Sequence, residues 1–124
     1  MRCPCRKKSE ASDYSDCCGP YHTGAQIPPT AEALMRSRYS AFALQNEDYL
    51  IASWHPSTRV ERVGFTPDQE WLLLRIIATK SDGDQATVEF TARSRINGRS
   101  QVQHERSQFV RENERWYYLQ GEPQ

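Results

Sequence analysis

Apolar and polar residues alternate through the second half of this chain, recur at helical spacing in its middle, and show neither period over residues 1–26. Ala86, Val88, Phe90 and Ala92 alternate with Thr87, Glu89, Thr91 and Arg93, the mark of a half-buried strand. Runs of this kind predict strands near 70–79, 85–96, 99–111 and 115–120. Asp82-Gly83 and Asn97-Gly98 read as turns. The second is the stronger signal, because a type I′ turn needs positive φ at both central residues. Upstream, Ala31, Leu34, Met35, Arg38 and Phe42 share one helical stripe, with Thr30 as N-cap and Glu32 in the first turn. Asn46 is placed to cap a second helix, with Glu47 and Asp48 at its start. That helix carries Tyr49, Leu50 and Trp54 and stops before Pro56. Residues 56–69, with Pro56, Gly64 and Pro67, read as a loop. Two helices followed by a four-stranded antiparallel β-meander predict an α+β fold with the helices on one face.

The Asn97-Gly98 turn fixes a register. Ile96 opposes Arg99, and counting outward pairs Ala92 with Gln103, Phe90 with Glu105, Val88 with Ser107 and Ala86 with Phe109. On the other face Thr91 meets His104 and Glu89 meets Arg106, an expected solvent-side charge pair. Glu105 therefore falls on the inner face under the helices, where a carboxylate needs a partner. Arg38 on the helix stripe is the candidate. A two-residue turn after Arg111 or Glu112 puts Trp116 and Tyr118 on the same face; a three-residue turn puts Tyr117 and Leu119 there. The inner face is thus expected to enclose an aromatic-walled cavity with a buried Arg38–Glu105 pair. A purely structural ion pair is the simpler and favoured reading of those two residues. His55 follows Trp54 at a helix end, where it either complements the helix dipole or serves the cavity. His104, on the outer face, makes a poor base. Arg36 is expected to pair with Glu32 one turn earlier. Arg59 lies in the loop, where it could meet an anionic ligand but reads first as solvated.

The segment without periodicity holds all 4 cysteines, as Cys3-Pro4-Cys5 and Cys17-Cys18. Four thiolates are what a closed tetrahedral zinc site requires. Two disulfides are the competing arrangement. Adjacent α-carbons lie about 3.8 Å apart, short of the roughly 4.4 Å a relaxed disulfide needs. That disfavours Cys17–Cys18 and leaves crossed bridges open. The chain enters the motif at Met1-Arg2-Cys3 with no apolar leader, and no apolar run approaches a membrane span, so a cytoplasmic, thiol-reducing location is expected. One structural zinc on Cys3, Cys5, Cys17 and Cys18 follows, and its binding would largely fold residues 1–26.

The 124 residues make one modest domain, and 16 basic residues balance 16 acidic ones. Zero net charge argues against a general nucleic-acid or anionic-membrane binder. Arg2, Arg6, Lys7 and Lys8 do form a local basic end, which reads first as a solvated terminus.

The run Cys3-Pro4-Cys5…Cys17-Cys18-Gly19-Pro20-Tyr21-His22 resembles the SEC-C zinc motif of the bacterial preprotein translocase motor. The longer stretch from Cys17 to Gly24, Pro29-Thr30-Ala31-Glu32-Ala33-Leu34-Met35-Arg36-Ser37-Arg38-Tyr39-Ser40-Ala41-Phe42 and Trp54-His55-Pro56-Ser57-Thr58 resembles the YchJ family, as does the tail from His104 to Tyr118. The resemblance implies a SEC-C element over 1–26 and a nuclear transport factor 2-like (cystatin-like) cone, a curved sheet packed on helices, over 27–124. It implies no particular activity. Arg6-Lys7-Lys8 stands where the motif usually has glycines. The last ligand of the translocase motif is a histidine, whereas Cys18 holds that place here, with His22 in reserve.

Three functions remain open. The first is a non-enzymatic zinc module whose residues 1–26 contact a protein partner, nucleic acid being the weaker choice. The second is a small-molecule binder or enzyme using the cone pocket, with Glu105 as base or anchor, Arg38 orienting it and His55 nearby. Thiol chemistry at Cys17-Cys18 is the third, and a filled zinc shell would suppress it. No phosphate loop, nucleophile elbow or second metal cluster appears, so no reaction is named and the reading leans away from an enzyme.

Overall fold

The computed structural model describes residues 1–6 and 12–124; Lys7 and Lys8 of the basic end lie outside the described residues. A 3-10 turn at Tyr14–Asp16 leads into α1 (Gly19–Thr23), α2 (Ala31–Ala43) and α3 (Glu47–Ala52). Four strands follow, β1 (Gln69–Asp82), β2 (Gln85–Ile96), β3 (Arg99–Glu112) and β4 (Arg115–Pro123). They form one antiparallel sheet in the order β1-β2-β3-β4.

The helix starts are where the capping chemistry puts them. Thr30 accepts a hydrogen bond from the Ala33 amide at 3.0 Å, and Asn46 accepts one from the Tyr49 amide at 3.1 Å. The β2–β3 register is the expected one, from Ile96 opposite Arg99 out to Ala86 opposite Phe109. Asn97 and Gly98 adopt φ of 50° and 79°. The β3–β4 turn has two residues, Asn113 and Glu114, which sets Trp116 opposite Arg111 and, beyond an irregularity at Gln108/Phe109, Tyr118 opposite Phe109.

Two expectations change. Trp54 is not helical: α3 ends at Ala52, and Trp54 forms a parallel bridge with Tyr118. The Tyr118 amide donates to Ser53 O at 2.9 Å and the His55 amide to Tyr118 O at 2.7 Å, so residues 53–55 cover the edge of β4. The Glu89–Arg106 pair is replaced by a diagonal one. Glu89 takes His104 Nε2 at 2.6 Å, while Arg106 bonds Gln124 at 3.2 Å.

Helix α2 is buried nearly all round, at Ala31, Leu34, Met35, Ser37, Arg38, Tyr39, Ser40 and Ala41. One side lies on the sheet, where Tyr39 meets Trp71 edge-on at 5.5 Å. The opposite side lies under the cysteine segment. Cys3, Cys5 and Cys18 join the same apolar core as Leu34, Met35, Phe90 and Phe109. The N-terminal segment thus shares the core of the cone, with α2 as the common wall.

Candidate metal centre and cone cavity

Backbone bonds from Cys3 N to Ser12 O (2.9 Å) and from Tyr14 N to Met1 O (2.7 Å) zip the two ends of the cysteine loop together. This brings the Cys3-Pro4-Cys5 and Cys17-Cys18 pairs face to face. Cys5 Sγ lies 3.7 Å from Cys3 Sγ, 3.6 Å from Cys17 Sγ and 3.6 Å from Cys18 Sγ. All four sulfurs fall within 4.8 Å of one another, and none is in a disulfide. A tetrahedral zinc with Zn–S bonds of about 2.3 Å spaces its sulfurs about 3.8 Å apart. The cluster therefore has the edge lengths of a closed four-thiolate shell and not those of a disulfide pair.

The electrostatics point the same way. The hydrogen bond from Cys18 holds the Cys3 thiol far below its ordinary range. The same bond, with that to Cys5 and with burial, pushes the Cys18 thiol up. For Cys5 the bond to Cys18 pulls downward, but the bond to Cys3, burial and neighbouring thiolates outweigh it, raising the group to about 12. Thiols this close and this buried cannot all ionise by themselves; a cation among them removes that obstacle.

Groups around the sulfurs complete the site. Ser40 Oγ donates to Cys18 Sγ at 3.3 Å and lies 3.4 Å from Cys3 Sγ; Arg6 Nε donates to Cys17 Sγ at 3.5 Å. Arg36 ties the loop to α2, donating to Cys5 O at 3.0 Å while keeping the expected bond to Glu32 at 3.1 Å. The Cβ of any residue replacing Gly19 would stand 2.8 Å from Tyr14 O, so glycine after the second cysteine pair lets the 3-10 turn pack against α1. His22, the reserve ligand, is engaged elsewhere. Its Nε2 faces Ser37 O at 2.8 Å and its Nδ1 faces Tyr14 Oη at 2.6 Å. Since a carbonyl only accepts, Nε2 carries the proton and Nδ1 accepts from the tyrosine. His22 orders α1 against α2, and Cys18 stands as the fourth sulfur.

The second site is a cavity of about 410 Å³ between α2 and the concave sheet face, lined by Arg38, Phe42, Trp71, Glu105, Ser107 and Tyr118 among others. Arg38 and Glu105 both reach it, but the expected ion pair between them is not formed. Arg38, 3 % exposed, donates through Nη1 to Leu50 O and Ser53 Oγ, each at 2.7 Å. Its guanidinium stacks over Tyr118 at 4.3 Å and Trp54 at 5.2 Å. The C-terminal end of α3 and two aromatic faces thus hold the charge that Glu105 was expected to meet. Burial lowers Arg38 to about 10.

His55 is not part of the cavity lining. Its Nδ1 accepts from the Ser57 amide at 3.1 Å, so its proton sits on Nε2, 2.9 Å from Glu112 Oε2. It ties the segment after α3 to the end of β3. Arg59 donates to Trp54 O at 3.0 Å in the same region, so it is anchored to backbone rather than merely solvated. Sequence reasoning missed Ser40, Ser37 and Tyr49. The available signal was Ser37 and Ser40, small polar residues three apart on the α2 face opposite Phe42.

The chain joins a sulfur cluster to an α+β domain of the nuclear transport factor 2-like class. Residues 30–121 match the family model for the "YchJ, middle NTF2-like domain". A UPF0225 protein of Polaromonas naphthalenivorans is 47% identical over 97% of this chain and 96% of its own. Another, from Bordetella pertussis, is 49% identical over 97% of this chain and 91% of its own. Among solved structures, a SEC-C motif containing protein from Rhodopseudomonas palustris superposes with a TM-score of 0.85 at 37% identity, covering 98% of both chains. One from Psychrobacter arcticus gives 0.81 at 31% identity, over 97% of this chain and 81% of its own. The chain belongs to the YchJ (UPF0225) family. No helix of the described residues is long and apolar enough to cross a membrane.

Proposed function

We propose that Cys3, Cys5, Cys17 and Cys18 hold one structural zinc ion, which staples the N-terminal segment onto α2 of the cone. The observation that carries this is the sulfur spacing of 3.6–3.7 Å around Cys5. Four sulfur ligands leave no open coordination position, so the ion folds and does not catalyse. Elemental analysis of protein purified without chelator tests it, with thiol titration alongside. One zinc per chain and thiols that react only after denaturation are expected; metal-free protein with four reactive thiols overturns it. A protein partner reading the stapled segment is the secondary proposal, the ion fixing the shape that is read.

The cone cavity favours a further role, binding of a small molecule. Its size falls in the range of ligand cavities, and its wall mixes aromatic rings with polar side chains such as Gln69, Gln103 and Ser107. Binding is favoured over catalysis because His55 lies outside the cavity, which leaves Glu105 without the proton-transfer partner that an acid–base reading gave it.

A further inference from the structure

Two opposite charges line the cone cavity without meeting each other. Arg38 spends only Nη1 on hydrogen bonds; among the described residues Nε and Nη2 have none. No buried side-chain nitrogen or oxygen among the described residues lacks a partner, so these two nitrogens keep some solvent access, and Arg38 is part of the cavity lining. The cation is therefore fixed by two aromatic faces and one satisfied edge, while its other edge is presented to a guest. A guanidinium removed from water this far is stabilised by an anion. A carboxylate matches it best, since it takes two parallel N–H bonds.

Glu105 supplies the complementary half. It is half-buried, lines the same cavity, and has no hydrogen bond or ion pair among the described residues. Its carboxylate lies close to Gly121: a Cβ there would stand 3.0 Å from Glu105 Oε2 and 3.2 Å from Tyr118 Oη, so those side chains would shift by a few tenths of an ångström. The same lining includes aromatic side chains. Phe42 sits at the corner, edge-on to Phe65 at 6.3 Å and tilted to Trp71 at 6.2 Å. Such rings present edges and faces to a planar guest.

We propose that the cavity binds a small amphoteric aromatic molecule, with its carboxylate on the open edge of Arg38 and its amine on Glu105. This rests on the reading of the cavity as a small-molecule site and adds the chemistry of the guest. The ligand bridges the pair that the protein leaves unbridged, so each charge is neutralised only when the site is filled. Molecules with one charge would leave either the buried Arg38 or the half-buried Glu105 unmatched.

The test is an NMR titration of the full chain with four probes of one shape: 4-(aminomethyl)benzoate, benzoate, benzylamine and benzyl alcohol. The amphoteric probe is expected to shift the Trp54 and Trp71 indole signals and to bind about tenfold tighter than either singly charged probe, the worth of one charge-assisted hydrogen bond. Glu105→Gln should abolish its advantage over benzoate. Arg38→Lys, which keeps the cation but loses the fork, should weaken both carboxylates. Equal affinity for all four probes, or no effect of Glu105→Gln on the ranking, overturns the charge-bridging proposal and leaves the cavity reading standing. Indole signals unmoved by every probe at millimolar concentration overturn both.

Discussion

Ser40 Oγ lies 3.3 Å from Cys18 Sγ, so a hydroxyl from the last turn of α2 reaches the sulfur cluster of the N-terminal segment. The same helix sends Arg38 into the cone cavity on its other side. Hydrogen bonds to ligand sulfurs orient them and stabilise their charge. Ser40→Ala should keep the fold and weaken zinc binding about tenfold. Competition with a chelator of known affinity measures it; an unchanged constant would detach α2 from the site.

Metal removal should act on both parts of the molecule. Cys3, Cys5 and Cys18 share a core with Leu34, Met35 and Tyr39, so uncovering them exposes one wall of α2. Under chelation, amides of residues 12–26 should lose hydrogen-exchange protection and Tm should fall, while the central strands stay protected. Protection that survives metal loss would show that packing alone holds the segment.

Gly19→Ala should destabilise by about 1–3 kcal/mol, because the new methyl meets a backbone oxygen that has little freedom to move. Gly64→Ala is the control, with nothing within 4 Å of the added carbon. Urea denaturation of both variants makes the comparison, and equal losses would refute the steric account.

Tyr49 predicts an alkaline signature. Burial raises its phenol from 10.0 to about 12. Between those values the unfolded chain has released the proton and the folded chain keeps it, so stability falls as pH rises through the window. Arg38, lowered to about 10, works in the opposite sense. Tyr49→Phe leaves Arg38 in place, so its stability should decline less steeply from pH 10 to 12 than that of the wild type. It should also lose about 1 kcal/mol at neutral pH, because the 2.7 Å bond to Ser37 disappears. Parallel slopes would mean that Tyr49 ionises as readily folded as unfolded.

The β3–β4 turn is open to improvement. Glu114 sits at φ 64°, a left-handed conformation that strains a residue with a Cβ. Glu114→Gly should stabilise the hairpin by about 0.5–1 kcal/mol with the denaturant slope unchanged. A loss of stability would show that the Glu114 side chain outweighs the strain.

Local rules explain what was legible. Thr30 and Asn46 cap their helices because a side-chain oxygen three residues before an unpaired amide is a short-range arrangement. Asn97-Gly98 set the whole β2–β3 register, including the inward position of Glu105, because side chains alternate with period two from a fixed turn. The β3–β4 turn was harder to read, as Asn113-Glu114 carries no glycine and the hydrophobic pattern allows either face. Trp54 went astray for a different reason: its backbone pairs with Tyr118, a partner 64 positions away that helical periodicity cannot register.

By itself the sequence determined the grouping of four cysteines that makes a candidate metal site, the α+β order of elements and the β2–β3 register, since each depends on residue type or on neighbours a few positions apart. Only the tertiary structure decided where charges and polar groups end up. It turned Arg38 to the end of α3 and onto two aromatic faces, leaving Glu105 unpaired across a cavity. It also set Ser40 against the sulfurs and committed His22 to Tyr14 and Ser37. A buried charge or polar group takes the partner that packing brings within hydrogen-bond reach, and packing joins residues that the chain keeps far apart.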